Sequence, residues 1–260
     1  MNTEFFTFLI TVLTYMLFQD RIRVTEMLGR FGQAYQTAWA WIRDNVGKIV
    51  RDEEQITDAW STHTLIFVAT ASYMLSLSLG YEQIIRDFAF VPALAHEYWR
   101  WISHMFLHAN IPIELSPFSV HLLYNMLYLY VFGDNVEEVF EKLKYEGLGV
   151  AVNLYLLAYL FWGFIAVAVQ ATVVGWSSAV SMIGASGAIS GVVGAYVVLF
   201  PKNHVVYGGR LEMPAIVFVA IFVGSQFLFM QDATAAVAAH LGGFVAGVLT
   251  GVLLRRAVNR

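Results

Sequence analysis

Five stretches of this 260-residue chain, 62–79, 148–174, 182–200, 213–230 and 233–254, contain no Asp, Glu, Lys or Arg. A sixth, 118–132, is shorter but equally free of charge, and Pro117 stands at its start, where proline suits the first turn of a helix. A helix rising about 1.5 Å per residue needs about 20 apolar residues to cross a bilayer core about 30 Å thick. The six runs therefore predict an all-α membrane protein built on a six-helix transmembrane bundle. The composition points the same way. Charged residues make up 13% of the chain, against about 25% in an ordinary soluble domain, and mean hydropathy is +0.63. A water-soluble fold of this size needs more polar surface than this chain can supply. The net charge of −4 argues against nucleic acid as a partner. With no cysteine in the chain, disulfides, thiolate metal sites and a cysteine nucleophile are excluded.

Orientation follows from the basic residues, which concentrate on the inner side of a membrane. With residue 62 placed inside, the inner connections hold thirteen Lys and Arg and the outer ones two, Arg86 and Arg100. A further apolar run, 5–18, is followed directly by Arg21 and Arg23 and preceded by no basic residue. It predicts an extra N-terminal hydrophobic helix with its start outside. Between it and the first of the six runs, Leu28, Tyr35, Ile42 and Ile49 recur every seven residues, with Val24, Phe31, Ala38 and Val46 beside them. That pattern predicts an amphipathic helix lying on the inner face. The outer connection, 80–117, carries Phe88, Phe90, Tyr98, Trp99, Trp101 and Phe106. Aromatic residues favour the membrane–water boundary, so this connection is expected to sit partly embedded against the bundle.

Polar side chains within spans are expensive and mark function by default. Four stand out: His121 and Asn125, one helical turn apart in the second span, Ser186 in the fourth and His240 in the sixth. These spans all run from outside to inside, and the four residues lie in the first third of each. The polar groups are thus expected in one layer below the outer face. Small residues recur at four-residue spacing along the sixth span (Ala239, Gly243, Gly247, Gly251), and the fourth carries Gly184, Gly187, Gly191 and Gly194 with Ala188 and Ala195. Such rows let helix backbones approach closely in lipid, which would bring Ser186 to His240. A serine hydroxyl is a weak nucleophile and needs an adjacent base, and His240 can serve as one. The Asn125 amide, a His121 N–H and the Ser186 backbone N–H are candidate donors to a developing oxyanion. No Asp or Glu lies in these three apolar runs, so a dyad is expected in place of a triad.

These residues resemble the rhomboid intramembrane serine proteases. The resemblance rests on Glu97-Tyr98-Trp99-Arg100, His121-xxx-Asn125, Gly133-Asp134-Asn135-Val136-Glu137, Gly184-Ala185-Ser186-Gly187, and Ala239-His240 followed by Gly243 and Gly247. It implies a six-span catalytic core over 61–256, with 1–60 forming the hydrophobic segment and amphipathic helix that precede it. It implies Ser186 as nucleophile, His240 as base, His121 and Asn125 as oxyanion donors, and Glu97 with Arg100 as supports of the outer loop. It further implies single-span membrane proteins as substrates, cut in the outer part of the bilayer, with the fifth span (Phe218, Phe222, Phe227) as the lateral point of access. Two features depart from the family pattern. The segment between His108 and His121 is longer than usual and contains Pro112, Glu114 and Pro117, and position 190 is serine where many relatives carry an aromatic. Support for His240 then falls to Tyr155, Tyr159 or water.

Competing chemistries fit less well. His104 and His108 are four apart, but no H-E-x-x-H accompanies them, so neither a metal nor any other cofactor is expected. A non-catalytic rhomboid-like protein that binds and regulates membrane proteins is the alternative, and the intact Ser186 and His240 argue against it. A transporter would require inverted repeats or charges at mid-depth. The expected partners are the bilayer, in a multi-pass arrangement in the cell membrane, and membrane-protein substrates.

Overall fold

The computed structural model describes residues 59–111, 119–143, 153–207, 211–228 and 237–258. The apolar run 5–18 and nearly all of the amphipathic stretch lie outside the described residues. The described residues of 56–205 and 212–260 belong to one compact unit.

Helices dominate the described residues. They are α1 (Trp60–Leu79), α2 (Tyr81–Phe88), α3 (Arg100–Ser103), α4 (Val120–Lys142), α5 (Leu154–Val174), α6 (Ser186–Leu199), α7 (Ala215–Leu228) and α8 (Val237–Val258). By length and composition α1, α5 and α8 can cross a membrane. Each of the six charge-free runs overlaps one helix, and the ends of α4 and α6 differ from their runs in ways that bear on the site. One other expectation is corrected as well: the fold is not purely helical, because the strands β1 (His204–Tyr207) and β2 (Leu211–Pro214) pair with each other.

The second helix, α4, does not stop where its apolar run does. It continues through Asp134 and Glu137 to Lys142, beyond the apolar run, which itself holds no carboxylate. The Glu137 side chain explains the extension. Its two oxygens accept the N–H groups of Ser61 at 2.7 Å and Thr62 at 2.8 Å. Those are orphan donors of the first turn of α1, and Ala59, which precedes that helix, has no side chain able to cap it. Nearby, Asn153 donates to the Ser61 hydroxyl at 2.5 Å, and the Thr62 hydroxyl donates to that of Tyr155 at 3.3 Å. Asp134 and Glu137 therefore lie roughly 20 Å along the helix axis from His121.

The fourth run also differs. Residues 182–185 precede the helix, and Met182 instead forms an antiparallel bridge with Phe90. Helix α8 packs chiefly against α6 and next against α5. The seam is backbone on backbone. A methyl group on Gly243 or Gly247 would run into the carbonyl oxygen of Gly187 or Gly191, respectively. This is the close approach predicted from the two rows of small residues.

Candidate active site

The connection after α1 is a built structure over its described residues, 80–111. The Arg100 side chain is buried. Its Nε pairs with Glu97 at 2.5 Å, and its Nη1 donates to the carbonyls of Arg86 at 2.9 Å and Ala89 at 2.8 Å. Ser103 donates to the Phe88 carbonyl at 2.6 Å, and Trp101 donates to that of Ala95 at 2.9 Å. The Phe90 and Trp101 rings meet edge to face at 4.9 Å, over a cluster of Phe90, Val167, Ala171 and Met182. The aromatic residues of this connection thus hold it onto α5, as their composition predicts.

That rigidity reaches the serine through two steps. The turn His104–Phe106 follows α3, and the His104 carbonyl accepts the Gly184 N–H at 2.9 Å. Gly184 has φ +120°, a backbone conformation that residues with a Cβ rarely adopt. A Cβ there would also stand only 2.8 Å from the His121 ring. The chain turns at this glycine, and α6 begins two residues later with Ser186 itself. Ser186 is therefore the first residue of its helix, not an interior one as its apolar surroundings suggested, at an N-terminus whose backbone N–H groups lack intrahelical partners.

His240 lies in the first turn of α8. Its Nε2 is 2.8 Å from Ser186 Oγ, within hydrogen-bonding distance. Beside the pair, His121 stands second in α4, and its Nδ1 accepts the Ala109 N–H at 2.9 Å. Asn125, one turn further along and buried, donates through Nδ2 to the His121 carbonyl at 2.7 Å. That bond commits one of its two amide hydrogens.

Of the supports expected for His240, Tyr155 is engaged elsewhere. The Tyr155 hydroxyl meets Thr62 at the opposite end of α5, and Tyr159 is one turn from it. Gln170 accepts the Ala239 N–H at 3.1 Å and so anchors the turn that carries the imidazole. Ser190 turns back to the Ser186 carbonyl at 2.8 Å. Sequence reasoning missed Gln170 and Ser119. The first is a lone amide in an apolar helix, a signal that was present. The second immediately precedes α4 and caps it by accepting the His121 N–H at 3.1 Å.

His104 and His108 are buried. Desolvation pushes His104 down to about 4, and desolvation with the neighbouring His121 ring pushes His108 down to about 3. Both are neutral near pH 7. Among the described residues no third side chain joins them in a set able to hold a metal ion.

Apolar helices and a serine hydroxyl bonded to an imidazole at one end of them describe an integral, multi-pass membrane protein of hydrolase-like constellation. Residues 95–257, more than half of the chain, match the Rhomboid domain, and the chain belongs to the rhomboid family. It is similar to the rhomboid protease GlpG of Haemophilus influenzae, at 25% identity over 197 residues, 73% of this chain and 89% of that protein. It is also similar to the rhomboid protease GlpG of Yersinia pseudotuberculosis serotype I, at 25% identity over 194 residues. That match takes in 72% of this chain and only 60% of the Yersinia protein.

Proposed function

We propose that the chain is an intramembrane serine endopeptidase that cuts transmembrane segments of single-span membrane proteins with a Ser186–His240 dyad. The observation that carries this reading is the 2.8 Å contact between Ser186 Oγ and His240 Nε2. Oγ attacks the scissile carbonyl carbon while Nε2 takes its proton. The tetrahedral intermediate collapses, the C–N bond breaks, and His240 returns the proton to the leaving amine. Water then hydrolyses the acyl-enzyme by the reverse proton path. The negative oxygen forms beside the N-terminus of α6 and the His121 ring, where fixed donors act most strongly. Asn125 adds its remaining N–H or steadies His121. The six long helices serve as the six spans of a core over 61–256, which residues 1–60 precede. Substrate reaches the dyad past α7, whose Phe218 ring lies tilted against Tyr128 and Phe132 of α4.

The test is labelling of purified protein with a fluorophosphonate, together with cleavage of a single-span substrate. Both are expected in the unmodified protein. Both are expected to vanish in Ser186→Ala and in His240→Ala. Undiminished cleavage in either variant would remove the dyad. Substrate binding without hydrolysis in the unmodified protein would favour the regulatory, non-catalytic reading.

A further inference from the structure

The His121 ring is held by a backbone donor, and a buried hydroxyl binds the residue that supplies that donor. We propose that Ser119 is a positioning residue. By fixing the Ala109 amide against His121 Nδ1, it keeps the imidazole in the tautomer that carries its proton on Nε2, facing Ser186.

A neutral imidazole has one N–H donor and one lone-pair acceptor, and the partner of one nitrogen decides the state of the other. A backbone N–H can only donate. The Ala109 N–H, 2.9 Å from Nδ1, therefore requires the lone pair there and the proton on Nε2. That nitrogen lies on the serine side. A Cβ built on Gly184 would be 3.1 Å from His121 Nε2 and 3.7 Å from Ser186 Oγ.

Ser119 ties Ala109 to the start of α4, while the Ala109 carbonyl also accepts the Ile111 N–H at 3.0 Å. The Ser119 side chain is wholly buried. The hydroxyl donates to the Ala109 carbonyl and accepts the N–H groups of Ile111 at 3.3 Å and His121 at 3.1 Å. Val120 donates to the Ile111 carbonyl at 3.0 Å. An ordinary helix cap uses only the acceptor side of its oxygen. Here the donor side is used as well, and it points at the residue whose amide meets the imidazole. The longer segment between His108 and His121 is thereby closed at its base, and the ring keeps its register.

This inference rests on the reading of His121 as an oxyanion donor, and the measurements separate the two. The full-length protein, labelled with ¹⁵N-histidine and solubilised in detergent, reports the tautomer through the imidazole nitrogen shifts, with the His121→Gln spectrum assigning the signal. The expected result in the unmodified protein is a protonated Nε2 and an unprotonated Nδ1. The reverse tautomer overturns the proposal and needs no variant that must fold. Ser119→Ala is expected to mix the tautomers and lower kcat about tenfold at unchanged KM, because the donor loses its direction and full population. Ser119→Thr, which keeps the hydroxyl, is expected to restore both. An unaltered tautomer in Ser119→Ala overturns the proposal. A mixed tautomer with unaltered kcat supports the role of Ser119 and overturns that of His121 as a donor, while fluorophosphonate labelling reports independently on the dyad.

Discussion

Individual side chains differ in how far their roles can be read from sequence. Ser186, His240 and His121 announce themselves because a polar group among apolar residues is costly, and two rows of small residues say which helices meet. Asn125 is less direct, since its amide is partly spent on the His121 carbonyl. Asn125→Ala is accordingly expected to retain measurable cleavage, with a fall in kcat below the roughly 10²–10³-fold typical of a lost oxyanion donor. Arg100 behaves differently. It is buried with three partners, and removing it leaves Glu97 and two carbonyls without their donor. Arg100→Ala is expected to destabilise the fold by about 3 kcal/mol or more, measured by thermal unfolding in detergent. A conserved unfolding temperature in that variant would show that the outer loop is not braced by this side chain. Ser119 and Gln170 were harder to find. Each satisfies ordinary backbone groups at the start of a helix, and a sequence does not distinguish such a bond from one that orients a reacting group.

At the level of helices, hydropathy located each long helix but misplaced the ends that matter. Helix α4 runs on because the Glu137 carboxylate has donors waiting on another helix, and α6 starts late because Met182 is paired with Phe90. Both causes are long-range contacts, invisible to a local pattern. Two predictions follow from the packing of these elements. Gly247→Val must displace the Gly191 carbonyl and open the seam that brings His240 to Ser186. Cleavage is expected to fall at least about 100-fold, since small misplacements of reacting groups have effects of that size. Val245→Ala, on the exposed face of the same helix, is expected to change little. Glu137→Ala removes two charge-assisted hydrogen bonds at the opposite end. It is expected to cost about 3 kcal/mol of stability while the folded fraction keeps its turnover. A loss of kcat as large as that of Gly247→Val would tie that end to the chemistry.

For the whole molecule, the two buried imidazoles of the outer connection couple folding to acidity. Both are depressed from the ordinary 6.5, His104 to about 4 and His108 to about 3. Below pH 6.5 the unfolded chain takes up protons that the folded chain refuses. Stability is therefore full above that value and falls as the pH drops toward 4, by up to about tenfold in the folding constant per pH unit for each ring. Unfolding midpoints measured across this range should decline, and His108→Asn should flatten the decline. A midpoint independent of pH would mean that these rings meet water. The largely helical, membrane-spanning character was legible because lipid permits so few solutions, whereas the pairing of β1 with β2 was not, being four residues per strand beside long apolar runs. The closed base formed by Ala109, Ile111 and Ser119 has an evolutionary consequence. Where a chain departs and comes back through a pinned neck, residues can be added or deleted beyond it without disturbing the histidine that follows. Homologues should therefore tolerate length variation at this place, which makes it a natural position for grafting a reporter peptide.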